Sequence, residues 1–271
     1  MTDTVTTSAL RTHGSIYEET RQRVINLVRE ASYVDFFAAS APTPACPGWR
    51  VRDVIAHLSG LATDIASGNL AGQATAAWTA AQVDARRNMP LSDLLAESDE
   101  VGPQLASYLD DFPGRYGAQV AADITVHEHD IRGGLGQPGA RDSVGVAHGI
   151  ELLLTTFVGP GARALGLPPL HIRAGQRSTV VGGYDNESTD PTAAIQSALA
   201  TWTWPPDYDD ALAATPSMPR LEASPFELLR AFSGRRSLAQ VHRFNWTTAP
   251  APYNGLFGLW PFTPQPVDLD E

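Results

Sequence analysis

Apolar side chains recur with helical spacing over much of the chain before residue 165. From Ser15 onward, apolar residues at positions i, i+3, i+4 and i+7 predict a first helix. A second helix has the most regular pattern and ends near Gly68. The apolar face of this second helix consists of Val51, Val54, Ile55, Leu58, Leu61, Ala62 and Ile65.

Further helical patterns follow the second helix. Residues 91–112 predict a third helix with a bend near Pro103, and residues 121–136 and 142–165 predict a fourth and a fifth. A less regular helical region covers residues 72–87. Four or five helices joined by short loops indicate an antiparallel bundle, in which metal sites lie between facing helices.

The pattern changes beyond Gly159, where β-branched residues and prolines become more frequent. The elements predicted there are one or two strands over 170–183, a helix over 191–202, a helix capped by Ser224 and Glu227, a strand over 240–246 and a proline-rich tail from Pro250. The chain is therefore expected to have an α+β fold. Its predicted divisions are a flexible tail (1–14), a helix bundle (15–164) and a smaller α+β domain (165–271).

Composition and charge narrow the class of protein. The 271 residues carry a net charge of −11 with only 19 Lys and Arg, which argues against nucleic acid or an anionic membrane as the main partner. A single cysteine excludes an intramolecular disulfide. The N-terminal residues lack the apolar core of a signal peptide, and no apolar run approaches the ~20 residues that span a bilayer. We therefore expect a soluble, cytoplasmic protein.

Candidate metal ligands concentrate in residues 121–136. Asp123 and His127 are four residues apart, so on a helix both side chains lie on one face, about 40° apart around the axis. Two ligands at this spacing can bind a divalent metal if a third comes from another element. His57, at the edge of the apolar face of the second helix, is the candidate for that ligand. The alternative is a solvent-exposed helical face without metal.

Several acidic neighbours have predicted supporting roles. Asp130 lies three residues beyond His127 and is expected to orient its ring or to be a ligand itself, and Asp64 is a candidate hydrogen-bond acceptor for His57. Glu128 and His129 point away from that face, so they are expected to face solvent or the second domain.

Other catalytic patterns are missing from the sequence. It contains no G-x-S-x-G elbow, no P-loop and no G-x-G-x-x-G after a predicted strand. Cys46 lies in a proline-rich turn at the start of a helix, where a helix dipole can lower a thiol pKa. With no His or Lys beside it in sequence, Cys46 is interpreted as a small packing residue.

Four segments together resemble a known family. They are Cys-Pro-Gly-Trp at 46–49, Arg-Asp-Val-Ile-Ala-His-Leu at 52–58, Asp-Ile-Thr-Val-His-Glu-His-Asp-Ile-Arg-Gly-Gly-Leu-Gly at 123–136, and Ser-Pro-Phe-Glu-Leu-Leu-Arg-Ala-Phe-Ser-Gly-Arg-Arg-Ser at 224–237. In this order the chain, from about Ser15 to Phe262, resembles the mycothiol-dependent maleylpyruvate isomerase family within the DinB-like group of metal-binding helix bundles. The resemblance implies a DinB-like four-helix bundle and an actinobacterial-type host.

The resemblance also implies a ligand set. The metal-binding positions of the family fall on His57, Asp123 and His127, and the implied metal is Zn²⁺. The family has Glu where this chain has Asp123, which is one methylene shorter. It also places an arginine of the C-terminal domain near the active site, and here the candidates are Arg235 and Arg236.

The function that the resemblance implies is thiol chemistry with mycothiol as cosubstrate. A thiol at the open position of a catalytic zinc site is deprotonated at neutral pH, and the resulting zinc-bound thiolate attacks a small electrophilic alkene. The expected enzyme is an S-transferase or a cis–trans isomerase, and a homodimer is the expected assembly. The alternatives are a non-catalytic metal- or ligand-binding stress-response module and a thiol-independent metal hydrolase with Asp64 or Asp130 as base.

Overall fold

The structure, a computed structural model, describes residues 11–111, 115–183, 190–201 and 214–271. Most of the predicted N-terminal tail, the turn at 112–114 and Trp202 at the end of a predicted helix lie outside the described residues.

The described residues contain ten α-helices and four β-strands. The helices are α1 His13–Val34, α2 Val51–Ser67, α3 Ala76–Ala85, α4 Leu91–Asp111, α5 Arg115–Leu135, α6 Val144–Leu153, α7 Gly159–Ala164, α8 Pro191–Thr201, α9 Pro225–Phe232 and α10 Leu238–His242. The strands are β1 Leu170–Ala174, β2 Arg177–Val181, β3 Arg220–Ala223 and β4 Asn245–Trp246. A π-helical turn, Leu154–Val158, joins α6 to α7, and a 3₁₀ segment covers Ala251–Gly258.

The first half of the chain is helical and has its own apolar core. Helix α1 packs against α4 and α5, while α2 packs against α3, α4 and α5. Residues such as Val54, Leu94, Leu105 and Ile124 are almost fully buried between these helices. A helical N-terminal region is therefore confirmed, and the antiparallel four-helix arrangement stays a prediction.

The sheet makes the protein α+β, as the sequence indicated. Its strand order is β2-β1-β3-β4, with β1 antiparallel to β2, parallel to β3, and β3 antiparallel to β4. The region predicted to hold one or two strands is the β1–β2 hairpin. A second apolar core lies between this sheet and α6 to α9. Helices α6 and α7 precede residue 165 and yet contribute side chains to this second core. The predicted domain boundary near residue 165 stays a prediction.

One strand prediction is wrong and one strand was missed. Residues 240–246 were predicted as a strand, yet α10 occupies their first half and only Asn245 and Trp246 pair with β3. A capping box between Ser237 and Gln240 starts α10, and local capping outweighs the weak alternation of the following residues. Strand β3 is too short to give a clear alternating pattern.

One helical stretch among the described residues is long and apolar enough to cross a membrane. It runs from Val144 to Ala164, 21 residues, with a mean hydropathy of 1.2 in its most apolar window. The stretch is not a continuous apolar run, because His148, Glu151 and Arg163 interrupt it, so the sequence pattern did not single it out. In the fold, 78% of that window is buried inside the protein, as expected of a core helix.

Candidate metal centre

Three predicted ligands meet where α2 faces α5. His57 Nε2 lies 3.4 Å from Asp123 Oδ2, and His127 Nε2 lies 3.6 Å from Asp123 Oδ1. One ligand atom from each of the three residues lies within 4.8 Å of the others. The one-turn spacing on α5 places Asp123 and His127 on the same face, and the packing of α2 on α5 brings in His57. The structure therefore brings the three residues together.

The far nitrogen of each imidazole is held by a hydrogen bond. His57 Nδ1 donates to Gln82 Oε1 at 2.8 Å, and the amide of Gln82 in turn donates to Asp64 at 2.8 Å. His127 Nδ1 donates to Asp130 Oδ2 at 2.9 Å. In a neutral imidazole, each bond favours the tautomer whose Nε2 lone pair is available to a cation, which is the arrangement that metal-binding histidines require. Asp64 supports His57 through Gln82 rather than directly as predicted.

Asp123 has the properties of an unsatisfied ligand. Its side chain is 38% exposed, yet its Oδ2 atom is buried and accepts no hydrogen bond. Burial raises the pKa of this carboxyl, but His127 and His57 more than compensate, so the pKa is lowered overall and the group is ionised. Two imidazole lone pairs and an orphaned carboxylate oxygen around one point fit a divalent cation.

Asp130 is the centre of a second set of contacts just behind His127. Besides the imidazole, its fully buried carboxylate pairs with Arg230 at 2.7 Å and with Arg235 at 3.1 Å, and it accepts from the thiol of Cys46 at 3.1 Å. Burial alone would raise the pKa of Asp130, but Arg235 and Arg230 hold it well below its usual range. The prediction that Asp130 orients His127 agrees with this geometry.

The arginines that contact Asp130 belong to a larger network. Arg230 and Arg236 both pair with Glu271, and Arg236 also pairs with Glu227 at 2.7 Å. Together with Asp130 and Arg235, the network contains three guanidinium groups and three carboxylates, so its formal charges balance. Of the two candidate arginines, Arg235 reaches the site and Arg236 does not contact it.

Cys46 is more than a packing residue but is not an activated thiol. It forms a second close group with His127 and Asp130. Burial, followed by the negative charge of Asp130, raises the pKa of Cys46 to about 12, so the thiol stays protonated. Because Asp130 is already engaged by two arginines, this group suits a cation less well than the group around Asp123.

Glu128 and His129 lie outside the ligand set, but neither faces solvent. Glu128 is fully buried and pairs with Arg23 of α1 and with Arg132. His129 packs edge-on against Phe226 of α9, at 4.7 Å between ring centroids. The prediction that they face solvent or the second domain is therefore correct only for His129, because the other side of α5 is covered by α1.

A cavity of about 490 Å³ opens beside the three candidate ligands. Its walls come from both cores: Trp49, Leu61 and Trp78 from the first, and Leu229 and Phe262 from the second. The ring of Trp49 lies 5.6 Å from that of His57 and 6.3 Å from that of His127, so it covers one side of the ligand group. This volume is within the range of small-molecule sites.

Sequence reasoning missed Gln82, Trp49 and the contact between Cys46 and Asp130. Trp49 and Cys46 were visible only as parts of a turn, and Gln82 lies in the least regular helical region. No spacing rule connects them to α5, since the contacts join distant parts of the chain.

Residues 20–132 match the family model described as the mycothiol maleylpyruvate isomerase N-terminal domain. The matched segment runs from α1 into α5 and contains all three candidate ligands. No curated protein and no solved structure matches the chain significantly. The resemblance inferred from the motifs is confirmed over this segment.

Proposed function

We propose that the protein is a metal-dependent enzyme that uses mycothiol, and the match of residues 20–132 to the mycothiol maleylpyruvate isomerase N-terminal domain family supports this proposal. The reaction is an S-transfer to, or a cis–trans isomerisation of, a small electrophilic alkene. The observation that carries the proposal is the convergence of His57, His127 and Asp123 at the wall of a ligand-sized cavity.

His57, Asp123 and His127 would hold the cation, for which we propose Zn²⁺. Two imidazoles and one carboxylate form a donor set typical of catalytic zinc, with a coordination position left for substrate. When bound, such a cation supplies the Lewis acidity that deprotonates a thiol at neutral pH.

The residues of the chain position the ligands and shield the reaction. Asp130 and Gln82 fix the two imidazoles, so that Nε2 of each stays directed at the ligand group. Trp49 and the apolar cavity walls exclude water from the space where the alkene would lie.

The chemistry balances with the thiol as the only co-reactant. The sulfur forms a bond to one alkene carbon, while the π electron pair moves to the neighbouring carbon. In a transferase that carbon then takes up the proton lost by the thiol, and the thioether leaves. In an isomerase the new single bond rotates and the sulfur is eliminated, which restores the thiolate and gives the trans alkene.

The geometry favours no second function. A thiol-independent hydrolase needs a carboxylate able to accept a proton, but Asp130 is bound to two arginines and Asp64 accepts hydrogen bonds from Gln82 and Asn69. A cytoplasmic location and a homodimer stay predictions.

The metal site is tested by measuring metal content. Wild-type protein should contain stoichiometric divalent metal, whereas His57→Ala and His127→Ala should lose most of it. His242→Ala is the matched control, because His242 is exposed and bonds only Asn254 among the described contacts. Equal metal content in all four proteins would contradict the proposed site.

The reaction is tested by following mycothiol in the metal-loaded protein with a panel of activated alkenes. The proposal expects loss of thiol, or thiol-dependent formation of trans alkene, and neither in His127→Ala. Activity that is independent of thiol, or bound metal with no activity on any alkene, would overturn the proposed reaction.

A further inference from the structure

The cavity beside the ligand group has few charged side chains in its walls. Among the described residues that line it, the only cationic side chain is Arg235 and the only acidic one is Asp123.

Arg235 has little charge to offer an anionic ligand. Its Nη2 pairs with Asp130 Oδ2 at 3.1 Å, and its Nη1 donates to the carbonyl of Ser233 at 2.6 Å. Only 15% of its side chain is exposed. Since it belongs to a network of three arginines and three carboxylates, its charge is already neutralised before any ligand arrives.

The remaining walls are mostly apolar. They include Trp78, Val126, Leu152, Phe157, Leu229 and Phe262. Moving a carboxylate from water into such surroundings without a partner is strongly unfavourable, whereas burial of an apolar group there is favourable. A dicarboxylate such as maleylpyruvate would pay this cost for at least one of its two charges.

We propose that the ligand of this cavity is an uncharged, largely apolar molecule and, building on the proposed function, that the electrophile is a neutral activated alkene such as an ester or enone. The preference comes from the apolar walls and from the neutralised Arg235. This preference for a neutral ligand distinguishes the chain from an enzyme whose substrate is the dicarboxylate maleylpyruvate.

The binding preference is tested without metal or turnover. Chelator-treated protein is titrated with methyl cinnamate and with cinnamate, a pair that differs in one negative charge, while the tryptophan fluorescence is followed, to which Trp49 and Trp78 of the cavity wall contribute. We expect the ester to bind at least about tenfold more tightly, which corresponds to about 1.4 kcal/mol. Equal or tighter binding of the acid, or no saturable binding of either compound, overturns the inference.

A charge variant tests the cause of the preference. Gln119 is a half-buried cavity residue one helical turn before Asp123. Gln119→Arg should tighten the binding of cinnamate about tenfold, whereas the matched neutral variant Gln119→Leu should not. If Gln119→Arg folds and leaves cinnamate binding unchanged, a missing cation is not the reason for the preference.

Turnover separates this inference from the proposed function. With metal and mycothiol present, dimethyl maleate should be consumed faster than maleate. Faster consumption of maleate would overturn the substrate class and leave the thiol chemistry in place. Tight ester binding with no consumption of either compound would overturn the proposed reaction and leave the ligand preference in place.

Discussion

The side chain of Asp130 links the candidate metal centre to the second core. One carboxylate oxygen accepts from His127 Nδ1 and from Cys46, and both oxygens face arginines of the C-terminal region. The same group thus fixes an imidazole tautomer, keeps a nearby thiol neutral and balances two buried cations. Such a carboxylate has a positioning role, since it acts on the site through His127.

Replacing Asp130 with asparagine should lower both stability and metal affinity. Loss of one partner from a buried ion-pair network costs about 3–5 kcal/mol, and loss of a group that orients a metal-binding histidine typically lowers affinity about 10–100-fold. Urea unfolding and metal titration measure the two effects. Asp84→Asn, which removes an exposed ion pair with Arg87, is the control and should change both far less. Equal effects of the two substitutions would contradict the role of Asp130.

The clustering of the three candidate ligands could be predicted at the residue scale, but their surroundings could not. Asp123, His127 and Asp130 share one face of a single helix, so sequence spacing relates them. His57 was predicted from its position at the edge of the apolar face of α2, which is a strongly amphipathic helix. Gln82, Cys46 and Arg235 reach the site through tertiary contacts, for which the sequence carries no periodic signal.

At the scale of single elements, α1 and α4 make an unusually close contact. The backbone N–H of Gly14 donates to Asp110 Oδ1 at 2.8 Å, and a Cβ added at Gly14 would lie 2.0 Å from the carbonyl oxygen of Ala106. Since that oxygen belongs to the backbone of α4, the two helices would have to separate to make room.

Gly14→Ala should therefore destabilise the protein, even though alanine is the better helix former. Overpacking of this kind costs about 1–3 kcal/mol and outweighs the gain in helix propensity of about 1 kcal/mol. The control is Gly258→Ala, because the nearest atom to a Cβ there is 3.8 Å away, an ordinary contact. Urea unfolding should show a loss for the first variant only. A gain for Gly14→Ala would contradict the contact.

Elements with one buried face were predicted best. Helices α2 and α4 bury a continuous stripe against their neighbours, so their periodicity is clear in the sequence. The errors concern short elements at the second core, where four residues form β3 and five form α10. Segments of that length acquire their structure from pairing and capping, and periodicity has too few positions to reveal it.

At the scale of the whole molecule, buried polar contacts join the two apolar cores. Arg230 of α9 donates to the carbonyl of Val126 and pairs with Asp130, both on α5. His148 of α6 bonds the carbonyl of Ala118 on α5 at 3.1 Å and lies 5.2 Å from the ring of His13 on α1. Buried polar contacts of this kind fix how α6 and α9 sit against the N-terminal helices.

His148 should make stability depend on pH. Burial lowers its pKa from 6.5 to about 4, with a smaller opposing effect of the bond to Ala118 and a further lowering by His13. Between these values the unfolded chain binds more protons than the folded one. The free energy of unfolding should therefore fall as pH decreases from about 6.5 to about 4, by up to about 3 kcal/mol from this group.

The measurement is urea unfolding as a function of pH for wild type, His148→Gln and His242→Gln. Glutamine at 148 retains an N–H donor for Ala118 but does not titrate, so its pH dependence should be flatter than that of wild type. His242 is exposed, and its replacement should leave the slope unchanged. Identical slopes for all three proteins would show that His148 does not contribute.

Every one of the 19 basic residues counted as Lys or Arg is an arginine, and the only thiol, that of Cys46, is held in its protonated form. The strongest nucleophiles that proteins usually offer, the lysine amine and the thiolate, are therefore absent from the side chains of the described residues at neutral pH. If the substrate is a reactive alkene, the protein resists alkylation by the compound it binds. The cosubstrate thiol then has little competition from the protein for the electrophile.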